Sequence, residues 1–161
     1  MERFAEQLND LIVDTFHSIN KMEEQTIKRF TKINLSISEI HLVEAAAKGG
    51  EKGRTISDLA ADLEITLPSV TVATNKLIKK GYAEKVKSEE DGRVVYVRLT
   101  AKGHKVNSGH KYFHRNLTRS VAAALTEEEQ LAMLKGISLL KEYIEGRNEV
   151  LQDKLEAKGI K

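Results

Sequence analysis

The 161-residue sequence contains no cysteine, which removes disulfides, thiolate zinc sites and any thiol nucleophile. Any metal would have to be held by histidine and carboxylate. There is a single proline, Pro68, and no Ser-rich or Gly-rich stretch, so nothing marks a linker between independent domains. No apolar run reaches the roughly 18 residues that a membrane span requires. The first ten residues, MERFAEQLND, are acidic and amphipathic where a signal peptide is basic and then greasy. Together these absences predict a cytoplasmic protein with no membrane partner. Catalytic signatures are missing as well: there is no Gly-x-Ser-x-Gly elbow, no glycine loop to cradle phosphates and no paired carboxylates in a cleft context. The expectation is a protein that is not an enzyme and carries no cofactor.

Net charge is also small, at +2, but it is unevenly spread. Residues 1–50 hold 6 Lys or Arg against 8 Asp or Glu, residues 51–115 hold 13 against 8, and residues 116–161 hold 7 against 8. A basic centre between acidic ends points to an anionic partner for the centre, nucleic acid being the commonest. With 40% hydrophobic and 31% charged residues, the composition suits a soluble chain with one modest core and surface to spare for a dimer face.

The apolar positions Phe4, Leu8, Leu11, Ile12, Phe16, Ile19, Met22, Ile27 and Phe30 recur every three or four residues and predict one long amphipathic helix. A second helix fits Ser36 to Lys48 and is stopped by KGGEKG. Thr55 is placed to cap a third helix with Asp58 in its first turn, burying Ile56, Leu59 and Leu63. After a short break Thr66 caps a fourth, with Pro68 in the first turn, where its missing N–H costs little. Two short helices joined by a tight turn make a helix-turn-helix. At 100 degrees per residue, Val70, Ala73, Thr74 and Leu77 fall on the packing face of the fourth helix. Ser69, Val72, Asn75, Lys76 and Lys79 fall on the opposite face, with Thr71 at the boundary. Hydroxyls, an amide, a methyl-bearing side chain and lysines suit base edges in a major groove with phosphates alongside.

A hairpin follows. Tyr82 to Lys87 reads as one strand and Val94 to Thr100 as its antiparallel partner, with Asp91 and Gly92 supplying the turn, glycine because it accepts positive φ. Helix-turn-helix plus ribbon is a winged helix, and Arg93 at the tip is placed to enter a minor groove. The fold class is therefore mainly α with a small β-hairpin wing. Its expected division is a dimerisation helix over 1–34, the winged helix-turn-helix over 35–102 and dimerisation helices over 103–161, in one structural domain.

The run VTVATNKLIKKGYAEKVKSEEDGRVVYVRLTAKG, Val70 to Gly103, resembles the heart of the MarR family of bacterial regulators: recognition helix, KGY junction, an Asp-x-Arg wing at Asp91 and Arg93, then LTxKG. The resemblance implies a homodimer that binds a palindromic operator on double-stranded DNA, usually as a repressor, and responds to a small ligand. One departure is Gly92, where many members carry a charged residue. The C-terminal region supports a dimer independently. Val106, His110, Phe113, His114, Leu117 and Val121 form one stripe; Leu131, Leu134, Ile137, Leu140 and Ile144 form another behind the cap TEEE. This is more apolar surface than a small winged domain covers, and a second copy is the simplest sink.

Two readings of the sensing region stand side by side. EIHLVEA around His41, HKYFHRNL around His110, Phe113 and His114, and NDLIVDTFHSINKMEE are similar to the fatty-acid-biosynthesis repressor (FabT-type) branch of the family. That similarity implies an acyl chain on acyl carrier protein as corepressor, with Phe16, Ile19, Phe113 and Leu117 lining an apolar cavity and His41, His110 or His114 at its polar end. The alternative is zinc, held by the i, i+4 pair His110 and His114 with His41 and one of Glu23, Glu24 or Glu39, Glu24 being the preferred carboxylate. From another functional class, a winged helix can also be a protein-interaction module that never touches DNA.

Overall fold

The structure, a computed structural model, describes residues 1–31, 35–88 and 90–157, with the backbone alone for 30, 31, 148, 149 and 151–157. The side chain of Phe30, in the predicted stripe, and the predicted boundary at 34/35 therefore lie outside what is described. In chain order the elements are α1 (Glu2–Thr31), α2 (Ile37–Ala47), β1 (Arg54–Thr55), α3 (Ile56–Leu63), α4 (Leu67–Lys79), β2 (Ala83–Lys87), β3 (Val95–Leu99), α5 (Ala101–Ala124) and α6 (Glu127–Ala157). The chain forms two compact units, residues 1–115 and 116–161, and the division falls inside α5.

In the first unit each short helix starts where a side chain satisfies its otherwise unpaired first amides. Ser36 caps α2, and Glu39 reaches back to the Ser36 amide at 2.9 Å. Thr55 and Asp58 make the same reciprocal pair at the start of α3, and Thr66 accepts from the Ser69 amide at the start of α4. The break between α3 and α4 is made by Glu64, whose φ of 52° puts it in the left-handed region. The predicted packing face of α4 is confirmed: Val70, Thr74 and Leu77 are fully buried and Ala73 packs against the same core. That core joins Leu42 and Val43 of α2, Leu59 of α3, Val97 and Leu99 of β3, Val106 of α5 and Ile27 of α1.

The sheet has three antiparallel strands in the order β1-β3-β2. The hairpin register runs from Ala83 opposite Leu99 to Lys87 opposite Val95. Strand β1 was not anticipated, because two residues give no period-two signal. It pairs Arg54 with Val97 and Thr55 with Tyr96, so Thr55 ends a strand and caps a helix at once. The hairpin turn also differs from expectation in its chemistry. Positive φ among the described glycines occurs at Gly50, Gly53 and Gly81, not at Gly92. The turn is closed by Asp91 instead: its Oδ1 accepts from the Arg93 amide at 3.0 Å and its carbonyl accepts from the Val94 amide at 2.9 Å. Ser88 Oγ accepts from the Glu90 and Asp91 amides on the other side.

The second unit is a helical turn closed by its own polar groups. Thr126 and Glu129 form the predicted capping box, with Thr126 N to Glu129 Oε2 at 2.8 Å and Glu129 N to Thr126 Oγ1 at 3.3 Å. Gln130 Nε2 donates to the Ala122 and Leu125 carbonyls, covering acceptors left over at the end of α5. No described helix is long and apolar enough to cross a membrane.

Candidate nucleic-acid interface and histidine cluster

Burying Val70, Thr74 and Leu77 obliges α4 to turn its other side outward. Ser69, Val72, Asn75, Lys76 and Lys79 are all exposed, Val72 by 56%, and Thr71 is half-buried, as the helical projection required. Their polar groups are not equivalent. Thr71 Oγ1 donates to the Leu67 carbonyl at 2.8 Å, so its hydroxyl proton is already committed to its own helix. Ser69 Oγ lies 2.9 Å from Thr66 Oγ1 within the cap. Asn75 Oδ1 accepts from Lys85 Nζ of β2 at 3.0 Å. An open groove of about 710 Å³ runs along this face, and its other wall carries Ser36, Ser38 and Glu39 from the start of α2. Lys80 spans it by pairing with Glu39 at 2.6 Å. Sequence reasoning missed Ser36, Ser38, Lys80 and Lys85 because their nearness to α4 is tertiary, not periodic.

At the wing, Arg93 has 95% of its side chain exposed, and Asp91 pairs with it only at a loose 4.0 Å. Asp91 therefore acts chiefly on the backbone, holding the turn from which Arg93 projects. The interface thus offers a polar helix face and, on the same unit, an exposed guanidinium.

The histidine cluster lies elsewhere in the first unit, where α1, α2 and α5 meet. His110, 2% exposed, has Nδ1 at 2.5 Å from Glu23 Oε1 and Nε2 at 3.1 Å from Glu44 Oε2. His114 Nε2 lies 3.7 Å from Glu23 Oε2, the His110 and His114 rings are 4.5 Å apart, and Phe113 stacks edge-on against His114. His41 is exposed, with its ring 5.9 Å from that of His110. Burial would favour neutral His110, but the hydrogen bond it donates to Glu23 and the charges of Glu23 and Glu44 outweigh it and raise its pKa. Burial likewise opposes ionised Glu23, yet the His110 hydrogen bond and the charges of His110, His114 and His41 hold its pKa below the usual value.

The three histidines are brought together as the sequence indicated, but the carboxylate among them is Glu23. Glu24 pairs with Lys28 at 2.7 Å and Glu39 with Lys80, so neither joins the cluster. Glu44, one turn beyond His41 on α2, was not foreseen. Glu23, His110 and His114 can bring three ligand atoms within 4.8 Å of one another. Of the residues expected to line an acyl cavity, Phe113 is buried, Ile19 is half-buried, Phe16 is 64% exposed, and Leu117 is half-buried in the second unit.

A capped helix-turn-helix, a three-stranded wing and an outward polar recognition face define a winged helix-turn-helix transcriptional regulator. The model of the SarA/Rot transcriptional regulators matches residues 24–109, more than half of the chain. The chain belongs to this family of MarR-like winged-helix regulators, and it is not an enzyme. It is 32% identical to FabT of Streptococcus pneumoniae, solved in complex with DNA, over 88% of this chain and 98% of that one, with a TM-score of 0.81. A MarR family protein from Bacillus stearothermophilus shares the fold at 17% identity, with a TM-score of 0.68 over 89% of this chain and 97% of that one. The HTH-type transcriptional regulator YhjH of Bacillus subtilis is 26% identical over 115 residues, 70% of this chain. The chain spans just under two thirds, 65%, of YhjH.

Proposed function

We propose that the chain is a homodimeric, sequence-specific repressor that binds a palindromic operator on double-stranded DNA. The exposed face of α4, with Arg93 projecting from the wing, carries this reading, and the similarity to a FabT solved with DNA supports it. Ser69, Val72 and Asn75 meet base edges, Thr71 contributes from the boundary, Lys76 and Lys79 meet phosphates, and Asp91 holds the turn that delivers Arg93 to a minor groove. Selection of bound fragments from genomic DNA should enrich a palindrome with half-sites about one helical turn apart, roughly 34 Å. On that operator Arg93→Ala should weaken binding about tenfold across all sequences, while Asn75→Ala should relax preference at one base pair per half-site. An operator indifferent to both changes would refute the assignment.

The regulated pathway in this reading is fatty-acid biosynthesis, with a long acyl chain on acyl carrier protein as corepressor. Supporting it are the 32% identity to FabT and the apolar Phe16, Ile19 and Phe113 on the same unit as His41, His110 and His114. Long-chain acyl carrier protein is expected to tighten operator binding, and unchanged affinity in its presence counts against it.

A second reading rests on the closeness of Glu23, His110 and His114. One carboxylate and two imidazoles are a chemically suitable N/O donor set for zinc, and His41, its ring 5.9 Å from that of His110, is the candidate for a fourth ligand. The ion would cross-link α1, α2 and α5. Protein purified without chelator should then hold about one zinc per chain that a competing dye removes; metal-free protein that binds none in the titration disposes of it.

A further inference from the structure

We propose that Lys85 is a positioning residue that decides which base Asn75 accepts; this rests on the DNA-binding reading above. Asn75 stands on the exposed face of α4, and after Gly81 turns the chain, β2 returns beside that helix and brings Lys85 Nζ to 3.0 Å from Asn75 Oδ1. An ammonium carries three donors and no acceptor, so it can only be met by the amide oxygen. It holds that oxygen toward itself and leaves the two Nδ2 hydrogens to face a partner. Lys85 is itself held in register opposite Val97 in the ladder, so its ammonium is tethered to a rigid strand.

The consequence is a reversal of what a lone asparagine does. A free asparagine pairs with adenine by accepting from N6–H with its oxygen while donating to N7. Here one lone pair of the oxygen is taken and the cation beside it disfavours a second donor, so the pair Lys85–Asn75 presents chiefly donors. A donor-rich surface matches base edges that carry acceptors, O6 and N7 of guanine or O4 of thymine, and meets the amino groups of adenine and cytosine unfavourably. The hydrogen bond is weak in water, but it strengthens where the DNA excludes solvent.

The experiment is selection from randomised half-sites by the full-length protein, with affinities and salt slopes measured on the enriched operator. Wild type should enrich G or T at one position that Asn75→Ala relaxes. Lys85→Met should move that position about tenfold toward adenine, Lys85→Arg should keep the wild-type preference, and Lys85→Met/Asn75→Ala should match Asn75→Ala there. Lys85 would be a simple phosphate contact, and the proposal wrong, if Lys85→Met lowered affinity equally for every sequence with a shallower salt slope. A preference indifferent to Asn75→Ala overturns it as well. Wild type that binds DNA without any sequence preference removes the DNA reading too, whereas selective binding unaltered by Lys85→Met removes this inference alone.

Discussion

His110 shows what a single buried side chain can hold. Its two nitrogens face two carboxylates on different helices, Glu23 of α1 and Glu44 of α2, an arrangement that favours imidazolium in a place where burial alone would favour the neutral ring. His110 has its pKa raised on folding, so its contribution is complete below the unfolded value of about 6.5 and disappears as pH climbs through the higher folded value. Glu23 has its pKa lowered, so its contribution is complete above about 4.3 and disappears as pH falls through the lower folded value. The pair therefore stabilises most between about pH 4.3 and 6.5. Urea denaturation should find His110→Asn less stable than wild type by about 3 kcal/mol at pH 5.5. The gap should narrow at pH 8.5; an equal gap at both pH values would show that the charged ring is not what binds the helices. The sequence announced the histidines, because His110 and His114 lie one helical turn apart on an apolar stripe. It did not distinguish Glu23 from Glu24, since adjacent carboxylates differ only by the rotation of α1 about its axis, which tertiary packing sets.

At the scale of the element, the KGY and LTxKG runs that carried the family resemblance meet at one junction, which gives them a physical meaning. Gly81 ends α4 at φ 78°, its amide bonded to the Ile78 carbonyl and that of Tyr82 to the Leu77 carbonyl. Thr100 Oγ1 donates to the Gly81 carbonyl at 2.7 Å, and the Thr100 amide donates to the Tyr82 carbonyl at 3.1 Å. Gly103 then opens α5 so close to that strand entry that a Cβ would overlap the Tyr82 carbonyl oxygen. The motif is the seam between recognition helix, wing and α5. Gly103→Ala should accordingly destabilise by about 1 to 3 kcal/mol in chemical denaturation, while the exposed neighbour Lys102→Ala should change stability by less than about 0.5 kcal/mol. Equal effects would mean that the close approach is not a constraint. The faces of α4 were legible because burial there follows the helical period. The wing turn differs because Asp-Gly suits two solutions: positive φ at glycine, or a backbone amide donating to the aspartate side chain, and the second is the one formed.

For the whole molecule, the proposed second copy would meet the apolar side chains left exposed. In the first unit the early turns of α1 leave Phe4 70%, Leu11 66% and Phe16 64% exposed, and among the described side chains of that helix only Glu23 and Ile27 are buried. In the second unit α6 leaves Leu131 69%, Leu134 65% and Ile137 53% exposed. Each face by itself is a row of large apolar side chains at helical spacing, and water is a poor permanent solvent for such a row. The hydrophobic stripes were plain in the sequence; which of them the chain covers internally was not, because that depends on how much surface a small core can accept. If both faces close against a symmetry mate, Leu134→Lys combined with Ile137→Glu should convert a dimer to a monomer in sedimentation while the circular dichroism of the helices persists. Linked half-sites gain by effective concentration, so affinity for the full palindrome should then drop on the order of a hundredfold, with affinity for an isolated half-site little changed. A variant that stayed dimeric would move the interface away from α6, and a monomer that kept full operator affinity would show that symmetry is not how this chain reads DNA.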